Sequence, residues 1–222
     1  MNFSHEWEEA FRRNSHLTLW PWSDVVSYVH RYAKPRDGFT RVLELGCGPG
    51  ANIPFFRSLG VDYFALEGSS TAVDMIRTAY PDLAGHVLAG DFTKGIPFGG
   101  PFDLILDRSA LISNPTEAVR ETIRTIGGLL RSGGKFLGID WFSDQHRDAH
   151  AGIEVDSHTR KDLPPGPLHG IGAIHFCDRD HLVDMLSEAG LRIERLEHKL
   201  TEVFLPNQGE RFGYWNFVAV RP

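Results

Sequence analysis

Sulfur is scarce in this chain: 222 residues hold two cysteines and three methionines. Cys47 and Cys177 are too few for a disulfide framework, and Cys47 sits inside a glycine-rich turn, so a reducing compartment is expected. Long apolar runs are missing too; none approaches the roughly 18 residues that cross a bilayer, and no membrane role is expected. The opening MNFSHEWEEAFRRN is charged throughout, without the basic start and apolar stretch of a secretion signal, which points to a cytoplasmic location. Basic excess is absent as well. Lys and Arg number 23 against 29 Asp and Glu, a net charge of -6, so no positive field gathers phosphates and a nucleic-acid partner is not expected. Repeats and low-complexity tracts are lacking.

What is present is ordinary globular composition, with 41% hydrophobic residues in a length that suits one domain, 1–222. From Thr40 onward, short apolar runs alternate with amphipathic segments, as in a parallel sheet flanked by helices. Strands are expected at 41–45, 62–67, 86–91, 102–108 and 135–142, with a turn at 131–134. Helices are expected at 52–59, 69–80, 115–130 and 179–190. Two last strands, 192–200 and 214–220, are close enough in sequence to form an antiparallel pair. Two segments fall outside the alternation: 1–39, an N-terminal helical cap, and 143–177, polar and rich in histidine, glycine and proline. An irregular stretch of that length reads as a substrate-covering loop.

The stretch VLELGCGPGANIPFF, Val42 to Phe56, sets Gly46, Gly48 and Gly50 directly after an apolar run. Read as G-x-G-x-x-A it satisfies the dinucleotide fingerprint, with Glu67 about twenty residues on. Two neighbours argue for another ligand. Pro49 removes a backbone N–H from the loop that would face a pyrophosphate. Glu44 puts a carboxylate where it repels phosphate and can hold an ammonium group. The turn therefore suits a nucleoside with an amino-acid end.

ELGCGPG resembles the first motif of class I S-adenosylmethionine-dependent methyltransferases, and the rest of the chain follows that family's order over 38–142 and 176–220. The fold that the resemblance implies is α/β: a Rossmann-like seven-stranded, mostly parallel sheet with an antiparallel C-terminal hairpin and helices on both faces. Glu67 matches the acidic residue that grips both ribose hydroxyls. In GDF, Asp91 matches the partner of the adenine amino group and Phe92 the side chain on the ring. FDLILDRSAL, ending at Leu111, matches the floor of the methyl-donor site, and its Asp-Arg-x-Ala-Leu ending is similar to thiopurine-methyltransferase-like members. The cofactor residues so implied are Glu44, Gly46, Cys47, Gly48, Gly50, Asn52, Glu67, Gly68, Asp91, Phe92 and Asp107. The physical chemistry agrees: a carboxylate accepts two hydrogen bonds from a vicinal diol, and acidic neighbours favour a cationic sulfonium. Methyl transfer is an in-line displacement that alignment alone can accelerate, so no protein nucleophile is needed.

The implied reaction moves a methyl group from S-adenosylmethionine to an O, N or S atom of a small molecule. Arg108 and His175 are the catalytic candidates, the histidine because methylating a hydroxyl requires proton removal. Trp20, Trp22 and His169 are candidates for the acceptor pocket. HRDAH, His146 to His150, has the i, i+4 spacing of a metal-binding helix face but no third ligand, and reads as a solvated polar loop; no metal is expected. Three alternatives stay open: a methyltransferase acting on a protein side chain, an NAD(P)-dependent oxidoreductase using the same turn, and a non-catalytic binding protein.

Overall fold

The computed structural model describes residues 5–13, 17–36, 38–206 and 209–222. Its centre is a seven-stranded sheet. The first strand, β1, is Arg41–Leu45; β2 is Asp62–Glu67, β3 Val87–Ala89, β4 Phe102–Arg108 and β5 Leu130–Phe142. Three further strands, β6 Ile153–Asp156, β7 Thr159–Lys161 and β8 Ile174–His175, form a second sheet, and β9 Arg192–Val203 and β10 Glu210–Val220 return to the first. The large sheet runs β3-β2-β1-β4-β5-β10-β9. Pairings among β1 to β5 are parallel, and β10 is antiparallel to both β5 and β9.

Among the described residues six α-helices accompany the strands: α1 His5–Arg12, α2 Ser23–Tyr28, α3 Ile53–Ser58, α4 Ser70–Ala79, α5 Thr116–Leu129 and α6 Arg179–Glu188. Successive strand residues point to opposite faces, and here both faces are apolar. Leu43, Ile105, Phe136 and Phe217 pack toward Ile123 and Ile126 of α5 and Leu182 and Met185 of α6. Val42, Leu104, Leu137 and Val218 pack toward Val25 of α2, Phe56 of α3 and Ile76 of α4. Burial on both faces is why these strands read as near-continuous apolar runs. No helix among the described residues is long and apolar enough to cross a membrane.

Three expectations need correction. The segment 143–177 is not an irregular loop: β6, β7 and β8 make an antiparallel sheet, and Leu163, Leu168, Ile171, Ile174 and Phe176 form an apolar cluster of their own. Its strands are two to four residues long, too short for sequence alternation to reveal. The turn at 131–134 does not precede the fifth strand but bulges within it, since the register jumps from Phe102↔Leu130 to Leu104↔Lys135. The terminal hairpin is longer than expected, pairing from Val220↔Arg192 as far as Glu210↔Val203. That extra length carries Thr201 and Phe212 to the site.

Candidate active site

The order of the large sheet reverses between β1 and β4, and in open α/β sheets ligands bind at such a point, outside the carboxyl ends of the strands. A cavity of about 600 Å³ lies there. The turn after β1 forms one wall. Gly46, at φ +64°, donates its N–H to the Leu66 carbonyl at 2.8 Å, tying the turn to β2. A Cβ on Gly46 would stand 2.1 Å from that of Ala110, so this backbone has no room for any other residue. Gly46→Ala is expected to destabilise the fold by about 2–4 kcal/mol through overpacking and a left-handed alanine. A urea midpoint equal to the parent's would refute that.

Glu67 ends β2 and is 5% exposed. Its Oε2 accepts from the Gly48 N–H and its Oε1 from the Ser69 N–H, both at 2.8 Å. Burial outweighs these bonds and raises its pKa. Each oxygen keeps a second lone pair, so the carboxylate shapes the turn and still presents acceptors to the cavity it lines. Glu44 also reaches the cavity, with Oε1 held by Asn52 Nδ2 at 2.8 Å and Oε2 by the Tyr63 hydroxyl at 2.7 Å. Burial raises its pKa against those two donors. The amide of Asn52 is oriented by this bond to Glu44, which leaves its Oδ1 as a buried acceptor without a hydrogen-bond partner. Asp91 and Phe92 line the same end, Asp91 holding the Thr93 N–H and hydroxyl on Oδ1.

The far end of the cavity is built by β4, β5 and the terminal hairpin. Arg108 lines it, forked onto Asp140 Oδ2 at 3.2 and 3.0 Å and stacked 3.6 Å under the Trp22 ring. Ser109 and Asp140, at the ends of adjacent strands, hold φ of +56° and +55°, and the Ser109 hydroxyl donates to the Asp140 carbonyl at 2.7 Å. Left-handed non-glycine backbone gathers at functional sites because the surrounding structure must impose it. Lys199 of β9 bonds Asp24 and approaches Asp140 at 3.4 Å. Burial opposes its charge, but these two carboxylates prevail and raise its pKa.

Of the residues singled out in the sequence, the cavity gathers Glu44, Gly46, Cys47, Gly48, Asn52, Glu67, Gly68, Asp91, Phe92, Arg108 and Trp22. Five lie elsewhere. Gly50 turns toward Ile53 and Ile76 in the core. Asp107 is buried beneath the floor, accepting from the Leu111 N–H at 2.9 Å and Trp141 Nε1 at 2.7 Å, and burial pushes its pKa up to about 7. Trp20 is 76% exposed, away from the cavity. His169 is an exposed ring bonded to the Leu163 carbonyl at 2.8 Å. His175 is behind the cavity wall, its Nδ1 near the Thr116 and Thr159 hydroxyls and its Nε2 3.2 Å from that of His181. A base must face its substrate, and the His175 ring does not.

The solvated reading of HRDAH also fails. Those residues form a turn rather than a helix, His146 is 3% exposed within the cavity wall, and His150 points outward. Among the described residues no group of three or more His, Cys, Asp or Glu side chains is arranged to hold a metal.

Several wall residues escaped sequence reasoning. Trp7 and Phe11 of α1 stack at 5.9 Å over the glycine turn, and Glu8 holds the Ser69 and Thr71 hydroxyls at the start of α4. The amphipathic pattern of α1 was the available signal. Asp140, Phe212 and Tyr214 had none, because only strand register brings them to the cavity.

A mostly parallel sheet with this switch point, a glycine turn and a buried carboxylate at the end of β2 define a Rossmann-like α/β protein. A profile for the methyltransferase domain matches residues 8–196, and the chain belongs to that family, the class I S-adenosylmethionine-dependent methyltransferases. A cypemycin N-terminal methyltransferase from Streptomyces sp. is 29% identical over 118 residues, 52% of this chain and 47% of that protein. The chain thus spans about half the length of that curated relative. A structure described as an S-adenosylmethionine-dependent methyltransferase from Methanosarcina mazei superposes with a TM-score of 0.69 at 19% identity, covering 92% of this chain and 99% of the other. The 1,6-didemethyltoxoflavin-N1-methyltransferase of Burkholderia thailandensis, solved with 1,6-didemethyltoxoflavin and S-adenosylhomocysteine bound, superposes at 0.60 and 17%, covering 90% and 77%.

The cofactor of the family is S-adenosylmethionine, and the residues present fit it. The buried, partnerless Asn52 Oδ1 suits an ammonium donor, Glu67 a diol and Phe92 the face of a base.

Proposed function

We propose that this protein transfers the methyl group of S-adenosylmethionine to a heteroatom of a small molecule. One observation carries the reading: the cavity is continuous from Glu67, Asp91 and Phe92 to a second end walled by Phe142, Leu168, Phe212 and Tyr214. Its volume falls within the range of small-ligand sites, and both α1 and the 143–177 segment contribute to its wall. When bound, the cofactor supplies an electrophilic methyl on a sulfonium.

The protein's own part is placement and exclusion of water. Asn52 and Glu67 accept the polar hydrogens of the donor's two ends, Asp91 and Phe92 take its base, and Trp7 and Phe11 close over it. Arg108, fixed by Asp140 and Trp22, lines the cavity between its two ends and would help to position the acceptor. Holding the two reactants in line supplies most of the acceleration such a displacement needs. Gly50, Asp107 and His175 support these walls from behind. The segment 143–177 serves as the acceptor cover, and 1–39 as a cap that reaches both ends, with Trp7 and Phe11 at the glycine turn and Trp22 on Arg108. Both are parts of one domain.

The toxoflavin methyltransferase, solved with 1,6-didemethyltoxoflavin bound, favours this reading, as does the net charge of -6, which discourages nucleic acid. A peptide amine is the second reading, favoured by the cypemycin relative. Calorimetric titration with S-adenosylhomocysteine is expected to show one site of micromolar or tighter affinity. Absence of heat and of any protection against thermal unfolding by that ligand would overturn the methyltransferase reading itself.

A further inference from the structure

At its acceptor end the cavity wall carries a group of aromatic rings, Trp22, Phe142, His146, Phe212 and Tyr214, with aliphatic side chains such as Leu168 beside them. His146 lies at the centre of this group, its side chain 1% exposed. Its ring meets those of Phe142 and Phe212 at 5.2 Å and Tyr214 at 6.0 Å, with interplanar angles of 72°, 70° and 77°. These are edge-to-face contacts, the arrangement aromatic rings prefer.

The protonation of His146 follows from its neighbours. Its Nδ1 accepts the Asp148 backbone N–H at 3.2 Å, while the Asp148 carboxylate, at 3.7 Å, is beyond hydrogen-bond reach. Burial, reinforced by Arg147, lowers its pKa to about 4, so the ring is neutral. A neutral imidazole whose Nδ1 accepts carries its hydrogen on Nε2. His146 therefore offers the aromatic wall one N–H donor and no charge.

The charges around this end cancel. Arg108 is paired with Asp140, and Lys199 with Asp24 and Asp140, so two cations meet two carboxylates. Asn216 Nδ2 adds a 3.0 Å bond to Asp24. A charged acceptor would surrender its hydration here without finding an unpaired counter-ion, whereas a neutral ring surrenders little. A flat molecule fits between aromatic walls, and an acceptor atom on it satisfies the His146 donor.

We propose that the methyl acceptor is a neutral, planar aromatic or heteroaromatic molecule, and that His146 selects it by donating a hydrogen bond from Nε2 to an acceptor atom on the ring. This rests on the methyl-transfer reading above. Asp148 is a positioning residue, since its backbone N–H sets which nitrogen of His146 carries the hydrogen.

Four nearly isosteric probes test the proposal, each titrated into the protein saturated with S-adenosylhomocysteine: 6-hydroxyquinoline, 2-naphthol, 6-hydroxy-2-naphthoate and N-methyl-6-hydroxyquinolinium. The neutral heterocycle is expected to bind about tenfold tighter than 2-naphthol, the size of one net hydrogen bond, and tighter still than either charged analogue. In His146→Phe the preference for 6-hydroxyquinoline over 2-naphthol should vanish while S-adenosylhomocysteine affinity stays within about twofold, a difference well under one hydrogen bond. His146→Gln, which restores an N–H donor, should recover part of the preference.

Equal or tighter binding of a charged probe overturns the proposal, as does an unchanged preference in His146→Phe. If no probe binds although S-adenosylhomocysteine does, the proposal fails and methyl transfer stands. If S-adenosylhomocysteine itself does not bind, the failure lies in the methyl-transfer reading.

Discussion

Glu67→Ala is expected to weaken S-adenosylhomocysteine binding by about a hundredfold or more, the loss of two hydrogen bonds to a charged acceptor. The carboxylate has two duties, and both fail together. Toward the ligand it presents acceptors to a diol. Toward the protein it holds the Gly48 and Ser69 N–H groups, which fix the glycine turn and the start of α4. Alanine leaves both donors buried without partners, at about 1–3 kcal/mol each. Removing a carboxylate whose ionised form burial disfavours offsets part of that cost. The orphaned donors prevail, because a raised pKa only softens the ionised state, whereas two backbone N–H groups lose their partners at a 5% exposed position. Calorimetry against S-adenosylhomocysteine, paired with a urea melt, separates the duties. Glu67→Gln keeps one acceptor oxygen and should retain more stability than alanine while still losing affinity. Binding by Glu67→Ala within threefold of the parent would exclude the diol role.

Acid should withdraw the stability that three buried histidines lend to the fold. His175, His181 and His146 all have pKa values lowered from 6.5, to about 3, 4 and 4, with burial the leading cause in each. At His175 the charges of His181 and His158 add to burial, and His158 stacks on His181 at 3.7 Å. Below pH 6.5 the unfolded chain gains protons that the folded chain refuses, so this contribution is complete above 6.5 and is lost steadily as pH falls toward 3. His175 alone accounts for on the order of 3–5 kcal/mol across that window; His181 and His146, whose pKa values are lowered less, add less.

Asp107 acts in the opposite sense. Its pKa, raised to about 7, lets it take up a proton in the folded state as pH falls from 7 toward 3.8, which returns some stability. Burial raises the carboxyls of Glu44, Glu67 and Asp148 in the same sense, so the histidine share is read by comparing variants. Between pH 6.5 and 4 the urea midpoint of the parent should lose ground relative to that of His175→Gln. Equal pH slopes in the two proteins would contradict the burial of that ring. Since His175 sits on β8 and His181 on α6, the small sheet should loosen first, exposing the acceptor end.

The cofactor half of the site was legible in the sequence because its parts are local. Glu44, the glycine turn and Glu67 lie within 24 consecutive residues, and a strand–turn–helix unit assembles them whatever the rest of the chain does. Asp107 shows where that logic ends. Its place after β4 is as expected, yet the side chain turns down to Trp141 and Leu111, leaving Arg108 and Ser109 on the cavity. Alternation along a strand decides which of two neighbours faces a ligand, and one residue of register reverses it. His146 and His175 illustrate the same limit. Two histidines in similar polar surroundings exchange the expected roles, because one lands on the cavity wall and the other behind it.

By itself, then, the sequence determined the alternating α/β order, the burial of both sheet faces and the acidic glycine turn that selects an amino-acid-bearing nucleoside. These depend on periodicity and on residues close in the chain. Tertiary structure alone decided the acceptor end. Trp22, Arg108, Asp140, His146, Lys199 and Tyr214 come from five separate segments, and no spacing along the chain encodes their meeting. The physical reason is that a cavity wall is set by the crossing of packed elements, here the long β9–β10 hairpin and the small sheet against the ends of β4 and β5.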